Sequence, residues 1–158
     1  MKALLCWTFA GVAALAGISQ VQSAERQDAS LGSERDRLIG AWHLVALEVP
    51  EADGGVNQIT GIKGMLLYTR DGHMSVQLMY PNSASNLSNE YVKSGYEASF
   101  GSFDVDEAKH IVTHHVQGSI TEGLLGKDLP RAYQFSEGRL IIKSIRPDEH
   151  WSVTWEHY

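Results

Sequence analysis

Thiols are nearly absent from this sequence. Its one cysteine, Cys6, lies close to the start of a chain of 158 residues. A lone cysteine excludes an intramolecular disulfide and a thiolate metal cluster, so the folded part must rest on its hydrophobic core. Proline is sparse, with 4 in all. Those residues, Pro50, Pro81, Pro130 and Pro147, fall where apolar runs begin or end, which suits a residue that cannot donate to a strand ladder. Basic charge is short as well: Lys and Arg number 13 against 19 Asp and Glu, for a net charge of -6. That balance argues against nucleic acid or an acidic membrane as a partner. No Gly-x-Ser-x-Gly elbow, P-loop, dinucleotide fingerprint or His-Glu-x-x-His occurs, and no cofactor is expected.

Only one long apolar run exists, Ala3 to Ile18. Lys2 precedes it, and Val21-Gln22-Ser23-Ala24 follows with small side chains. The pattern is that of a secretory signal over residues 1–24, cleaved after Ser23 or Ala24. The run is short for a membrane span and lacks a basic stop-transfer flank. The expected product is therefore secreted or periplasmic, with no integral membrane segment, and it loses Cys6. Residues 25–37 are polar and read as a flexible tail, with a helical turn over Glu34 to Leu38. Residues 38–158 form the domain.

The domain is organised around Gly64 to Tyr80. Two β-rich runs flank Arg70-Asp71-Gly72-His73, and an Asp-Gly pair in that setting predicts a hairpin. Met74, Val76, Leu78 and Tyr80 share one face; Ser75, Gln77 and Met79 share the other. Further strands are predicted near 40–49, 99–105, 109–119, 129–135, 139–145 and 150–158, with Glu51 to Thr60 as loop. Ser88 to Tyr96 is the best helical stretch, with Ser88 as N-cap. Eight short strands with short connections predict an all-β, eight-stranded up-and-down antiparallel barrel with one short helix. Such a barrel is wide enough for its own side chains or one small ligand.

Leu38-Ile39-Gly40-Ala41-Trp42 resembles the opening of lipocalin-type barrels. Together with Gly64 to Thr69, Asp71 to Gln77, Phe100-Gly101-Ser102-Phe103 and Val112 to Ser119, it is similar to the lipocalin-like domain family of bacteria and fungi. The resemblance spans about residues 37–157. It implies a calycin-type barrel with a central cavity, and no catalytic residue comes with it.

Several residues are candidates for chemistry. His114 and His115 point to opposite faces of one strand, while His110 and His114 lie roughly 13 Å apart, too far to share a metal. No metal site is expected. One of the pair His114 and His115 faces the cavity, as hydrogen-bond donor or general base, or is satisfied by a neighbouring strand. Tyr68 and Tyr96 either line the cavity or fill the core. Gln77, beside Ser75, faces a polar cavity or solvent. Arg131 meets a ligand carboxylate or covers Trp42. Trp151 and Trp155 are expected in the core.

The sequence thus points to an exported barrel binding a small hydrophobic or amphipathic molecule, with Tyr68, Gln77, Tyr96, His114, His115 and Arg131 as candidate ligand contacts. The alternative is a cofactor-independent enzyme of isomerase, cyclase or hydratase type, using a cavity His and Tyr pair.

Overall fold

The computed structural model describes residues 32–51, 55–81 and 87–158. The expected signal segment and most of the expected tail lie outside them. Nine strands follow a five-residue helix, α1 (Glu34–Leu38). They are β1 (Gly40–Pro50), β2 (Val56–Gln58), β3 (Lys63–Tyr68), β4 (His73–Met79), β5 (Tyr96–Asp106), β6 (Ile111–Ser119), β7 (Asp128–Ser136), β8 (Arg139–Ser144) and β9 (Ser152–His157).

All strand pairings are antiparallel, in the order β2-β1-β3-β4-β5-β6-β7-β8-β9, and β1 also pairs with β9. The pairing closes eight strands into a barrel and leaves β2 as an extra strand. β1 changes partner along its length. Gly40 to His43 pair with β3, whereas Glu48 to Pro50 pair with β2. On its other edge, facing β9, β1 has a bulge between Leu44 and Ala46 that exposes Val45 and keeps Leu44 and Leu47 on the inward face. The extra residue breaks the strict alternation and bends the strand.

The Asp-Gly hairpin forms as expected. Gly72 takes φ 89°, a region that favours glycine, and Thr69 N–H donates to His73 O at 2.9 Å. Met74 and Leu78 are buried while Gln77 and Met79 are exposed. In β5, a bulge at Phe100 and Gly101 brings the backbone of β6 so close that a Cβ at Gly101 would collide with the His115 carbonyl.

One end of the barrel is shut by α1. Leu38 is fully buried, and Trp42 Nε1 donates to its carbonyl at 2.8 Å. Tyr133 Oη donates to Glu34 Oε2 at 2.6 Å, and His110 Nδ1 lies 2.9 Å from the same oxygen. Arg35 and Arg37 spread over the rings of Phe103 and Phe135. An aromatic layer of Trp42, Tyr68, Phe103 and Tyr133 fills the barrel beneath this plug. It is Arg37, and not Arg131, that serves this closed end.

Two expectations fail. Ser88 to Tyr96 is not helical. Asn89 Oδ1 accepts the backbone N–H groups of Tyr91 and Val92, while Ser94 and Gly95 adopt φ 52° and 80°. Lys93 and Tyr96 exchange backbone hydrogen bonds across Ser94 and Gly95, so the chain closes a two-residue turn that leads into β5 where a helix would have continued. The short helix of the fold is α1. Within the expected loop 51–60, residues 56–58 form β2, whose three residues are all exposed. With no buried face it carries no alternating pattern to read.

Candidate functional site

A cavity of about 280 Å³ lies inside the barrel, away from the aromatic plug. Leu47, Leu66, Val76, Leu78, Ile142 and Val153 give it apolar walls from five strands. Trp151, Trp155, Tyr80 and Tyr91 add aromatic surface. Period-two alternation puts these side chains inside, since each strand has one face toward the barrel axis. Four polar side chains interrupt this surface from neighbouring strands: Glu97 and Ser99 of β5, His114 of β6 and Arg131 of β7.

Arg131 is 5% exposed. Its guanidinium carbon sits 4.7 Å from the Trp151 ring centroid and 5.2 Å from that of Tyr91. The nearest carboxylate oxygen, Oε2 of Glu149, is 3.8 Å from Nη1, beyond hydrogen-bonding distance. No carboxylate or carbonyl among the described residues accepts a hydrogen bond from this guanidinium. Glu149 is committed elsewhere. It accepts from Ser144 Oγ at 2.6 Å and Tyr91 Oη at 2.7 Å, and pairs with Arg146 at 3.0 Å. Burial would raise its carboxyl, but these hydrogen bonds and the charges of Arg131 and Arg146 hold it below the usual range. A buried cation with open donors is costly, and a ligand acceptor would relieve it.

Glu97 has no hydrogen bond and no ion pair among the described residues. Burial pushes its carboxyl up to about 7, against the pull of Arg131. Trp155 Nε1 is also buried without a partner. Buried polar atoms are nearly always satisfied, so each such atom on a cavity wall marks a place for a ligand or water.

Tyr68 and His114 meet inside the barrel, with Tyr68 Oη 2.5 Å from His114 Nε2. Burial drives the Tyr68 phenol well up, and it pushes His114 down to about 3, helped by the charges of Arg131 and His115. Both groups are therefore neutral near pH 7. The phenol donates to Nε2, which assigns the ring proton to Nδ1. His114 lines the cavity, but Tyr68 stands behind it in the aromatic layer. A pair whose titrations both lie far from neutrality suits positioning of the imidazole better than proton exchange.

Besides Tyr68, three sequence candidates lie outside the cavity. Gln77 is exposed between the inward residues Val76 and Leu78. Tyr96 is 51% exposed and borders an outer groove with Gln77. His115 follows inward His114 and so points outward, between Asp128 Oδ1 at 2.6 Å and Asp104 Oδ2 at 3.0 Å. The Asp128 hydrogen bond leads in raising its pKa, against partial burial. The one-residue step that reverses a strand side chain decides all three. Among the described residues no group of three or more His, Cys, Asp or Glu could hold a metal ion.

A family model described as lipocalin-like domain matches residues 39–157. The chain belongs to the lipocalin-like domain family. Among solved structures it is similar to a lipocalin-like protein from Bacteroides uniformis ATCC 8492, at 12% identity and TM-score 0.47, over 77% of this chain and 99% of that one. It is also similar to the wild-type fluorescent protein UnaG, at 10% identity and TM-score 0.40, over 78% of this chain and 98% of that one. No curated protein matches it.

Several cavity residues of this lipocalin-like domain escape a reading of its sequence. Glu97 falls just past the segment expected to be helical and is the second residue of β5. Its signal is the alternation Glu97, Ser99, Gly101, Phe103, which continues the inward face of that strand. Tyr91 comes from a connection between strands, where no periodicity points inward.

Proposed function

We propose that this lipocalin-like barrel binds a small, largely apolar molecule that presents a hydrogen-bond acceptor to Arg131. One observation carries the reading: an apolar cavity of about 280 Å³ whose wall holds a buried guanidinium with no carboxylate or carbonyl within hydrogen-bonding distance. Concave apolar sites with a few convergent polar groups are the usual form of small-molecule sites. Trp151 and Tyr91 pack their rings against the guanidinium, the Tyr91 hydroxyl lies beside it, and its remaining N–H groups are open to an acceptor. Export, supported by the pattern of residues 1–24, would have the protein meet this molecule outside the cytoplasm.

The test is mass spectrometry of protein purified from its native compartment, intact and then denatured. Release of a small molecule on denaturation supports the reading and gives its chemical class. A protein that releases nothing, and whose cavity tryptophans respond to no apolar compound, overturns it.

A further inference from the structure

The polar groups of the cavity are of opposite character and do not neutralise each other. Arg131 and Glu97 line the same space, and each alters the titration environment of that space. Yet no ion pair within 4.0 Å joins them. The one carboxylate near Arg131 is Glu149 at 3.8 Å, and Glu97 has no partner among the described residues. Opposite charges in an apolar enclosure attract strongly. Holding both unpaired on one wall set leaves a donor edge and an acceptor edge open together.

A ligand head must satisfy both. A carboxylate would suit Arg131, but it would enter a space that Glu97 already lines, with Glu149 3.8 Å from the guanidinium, and like charges raise its cost. An ammonium would suit Glu97 but face Arg131. A neutral head with both an acceptor and an N–H donor meets the guanidinium and the carboxyl without adding charge. Trp155 Nε1, unpartnered on the same wall, offers one more donor and no acceptor. We propose that Arg131 and Glu97 together select a neutral head that both accepts and donates, so that the preferred ligands are apolar molecules ending in a carboxamide-type group rather than acids or amines. This rests on the small-molecule reading above and specifies its chemistry.

The groups facing Glu97 are known. Inside the barrel they are Tyr80, Tyr91, His114 and Arg131. On the outer side His43, Lys63, Tyr96 and Tyr158 border the groove that also touches it. Burial holds the Tyr80 and Tyr91 phenols up, and it holds His114 far down.

The experiment titrates the full folded protein with decanamide, decanoate and decylamine, read by the fluorescence of Trp151 and Trp155. At about pH 8, where Glu97 is largely ionised, decanamide is expected to bind at least about tenfold tighter than either charged probe, the worth of one charge-assisted hydrogen bond. Glu97→Leu should weaken decanamide by about tenfold and tighten decanoate, two changes of opposite sign that a merely loosened barrel does not give. Should that variant fail to fold, the wild type still decides. Decanoate should tighten as pH falls from about 8 to about 6 and Glu97 gains its proton, while decanamide changes little. Decanoate or decylamine binding as well as decanamide, or a decanoate affinity flat with pH, overturns the head-group assignment and leaves the binding cavity standing. Silence from all three probes overturns the binding reading itself, and this one with it.

Discussion

Tyr68 Oη and His114 Nε2 lie 2.5 Å apart in the barrel interior, from strands that are not neighbours in the sheet. The pair ties the aromatic plug to the cavity wall. Burial, helped by the charges of Arg131 and His115, keeps His114 neutral, and His114 in turn shapes how the domain responds to acid.

Stability between pH 4.5 and 6.5 should be set by two groups of the cavity wall with opposite sign, buried His114 and half-buried Glu97. His114 is pushed down from 6.5 to about 3, so the unfolded chain binds its proton first, and folded stability falls as pH drops below 6.5. Glu97 is raised from 4.5 to about 7, so the folded chain holds its proton longer, and stability is full below 4.5 and falls as pH rises toward 7. Each acts at up to about 1.4 kcal/mol per pH unit, and they oppose each other in the shared window. Glu97→Gln should remove one of them. Urea denaturation across this window should then show stability rising with pH more steeply than in the wild type. Equal slopes would refute the assignment.

His115 should titrate above the ordinary histidine value, because Asp128 and Asp104 hold its protonated form. The sign is that of a raised pKa: its contribution is full below 6.5 and is lost as pH rises through the folded value. Its side chain is about one-third exposed, so the effect on stability stays below about 1 kcal/mol. Imidazole NMR signals would follow it directly. Asp128→Asn should move the midpoint down; an unmoved midpoint would assign the shift elsewhere.

Arg131→Met should separate stability from binding. The cation has no close ion pair, and Met fills similar apolar volume, so the variant should be as stable as the wild type or more so, by up to about 2 kcal/mol. Glu149 keeps Ser144, Tyr91 and Arg146 as partners. Any molecule retained by the wild type should be lost. Tyr96→Ala, on the outer wall, should leave retention unchanged. Thermal melts with intact-mass spectra of both variants check this, and loss of the molecule from the Tyr96 variant would relocate the site.

Trp42→Ala should cost about 3–5 kcal/mol, as for other large-to-small changes in a packed core. The indole is 1% exposed, and its N–H anchors α1 through the Leu38 carbonyl. Denaturant unfolding measures the loss. A cost below about 1 kcal/mol would show that α1 does not depend on it.

Much of the architecture was legible in single residues. Asp71-Gly72 marks its hairpin because glycine accepts the positive φ the turn needs. Alternation from Met74 to Met79 identifies the inward face because a strand repeats every two residues. Trp42 and the nearby motifs carry the family resemblance that the match over residues 39–157 bears out. Helix expectation at Ser88 to Tyr96 failed because Ser94 and Gly95 take positive φ and close a two-residue turn between Lys93 and Tyr96. The contents of the cavity depend on closure. Pairing of β1 with β9 decides which faces become interior. A one-residue step then separates buried His114 from exposed His115. Local order thus followed from composition and spacing, which act over a few residues. The meeting of Arg131, Glu97, His114 and Trp155 around one space followed only from tertiary structure, because their charges and desolvation are set by residues distant in the chain.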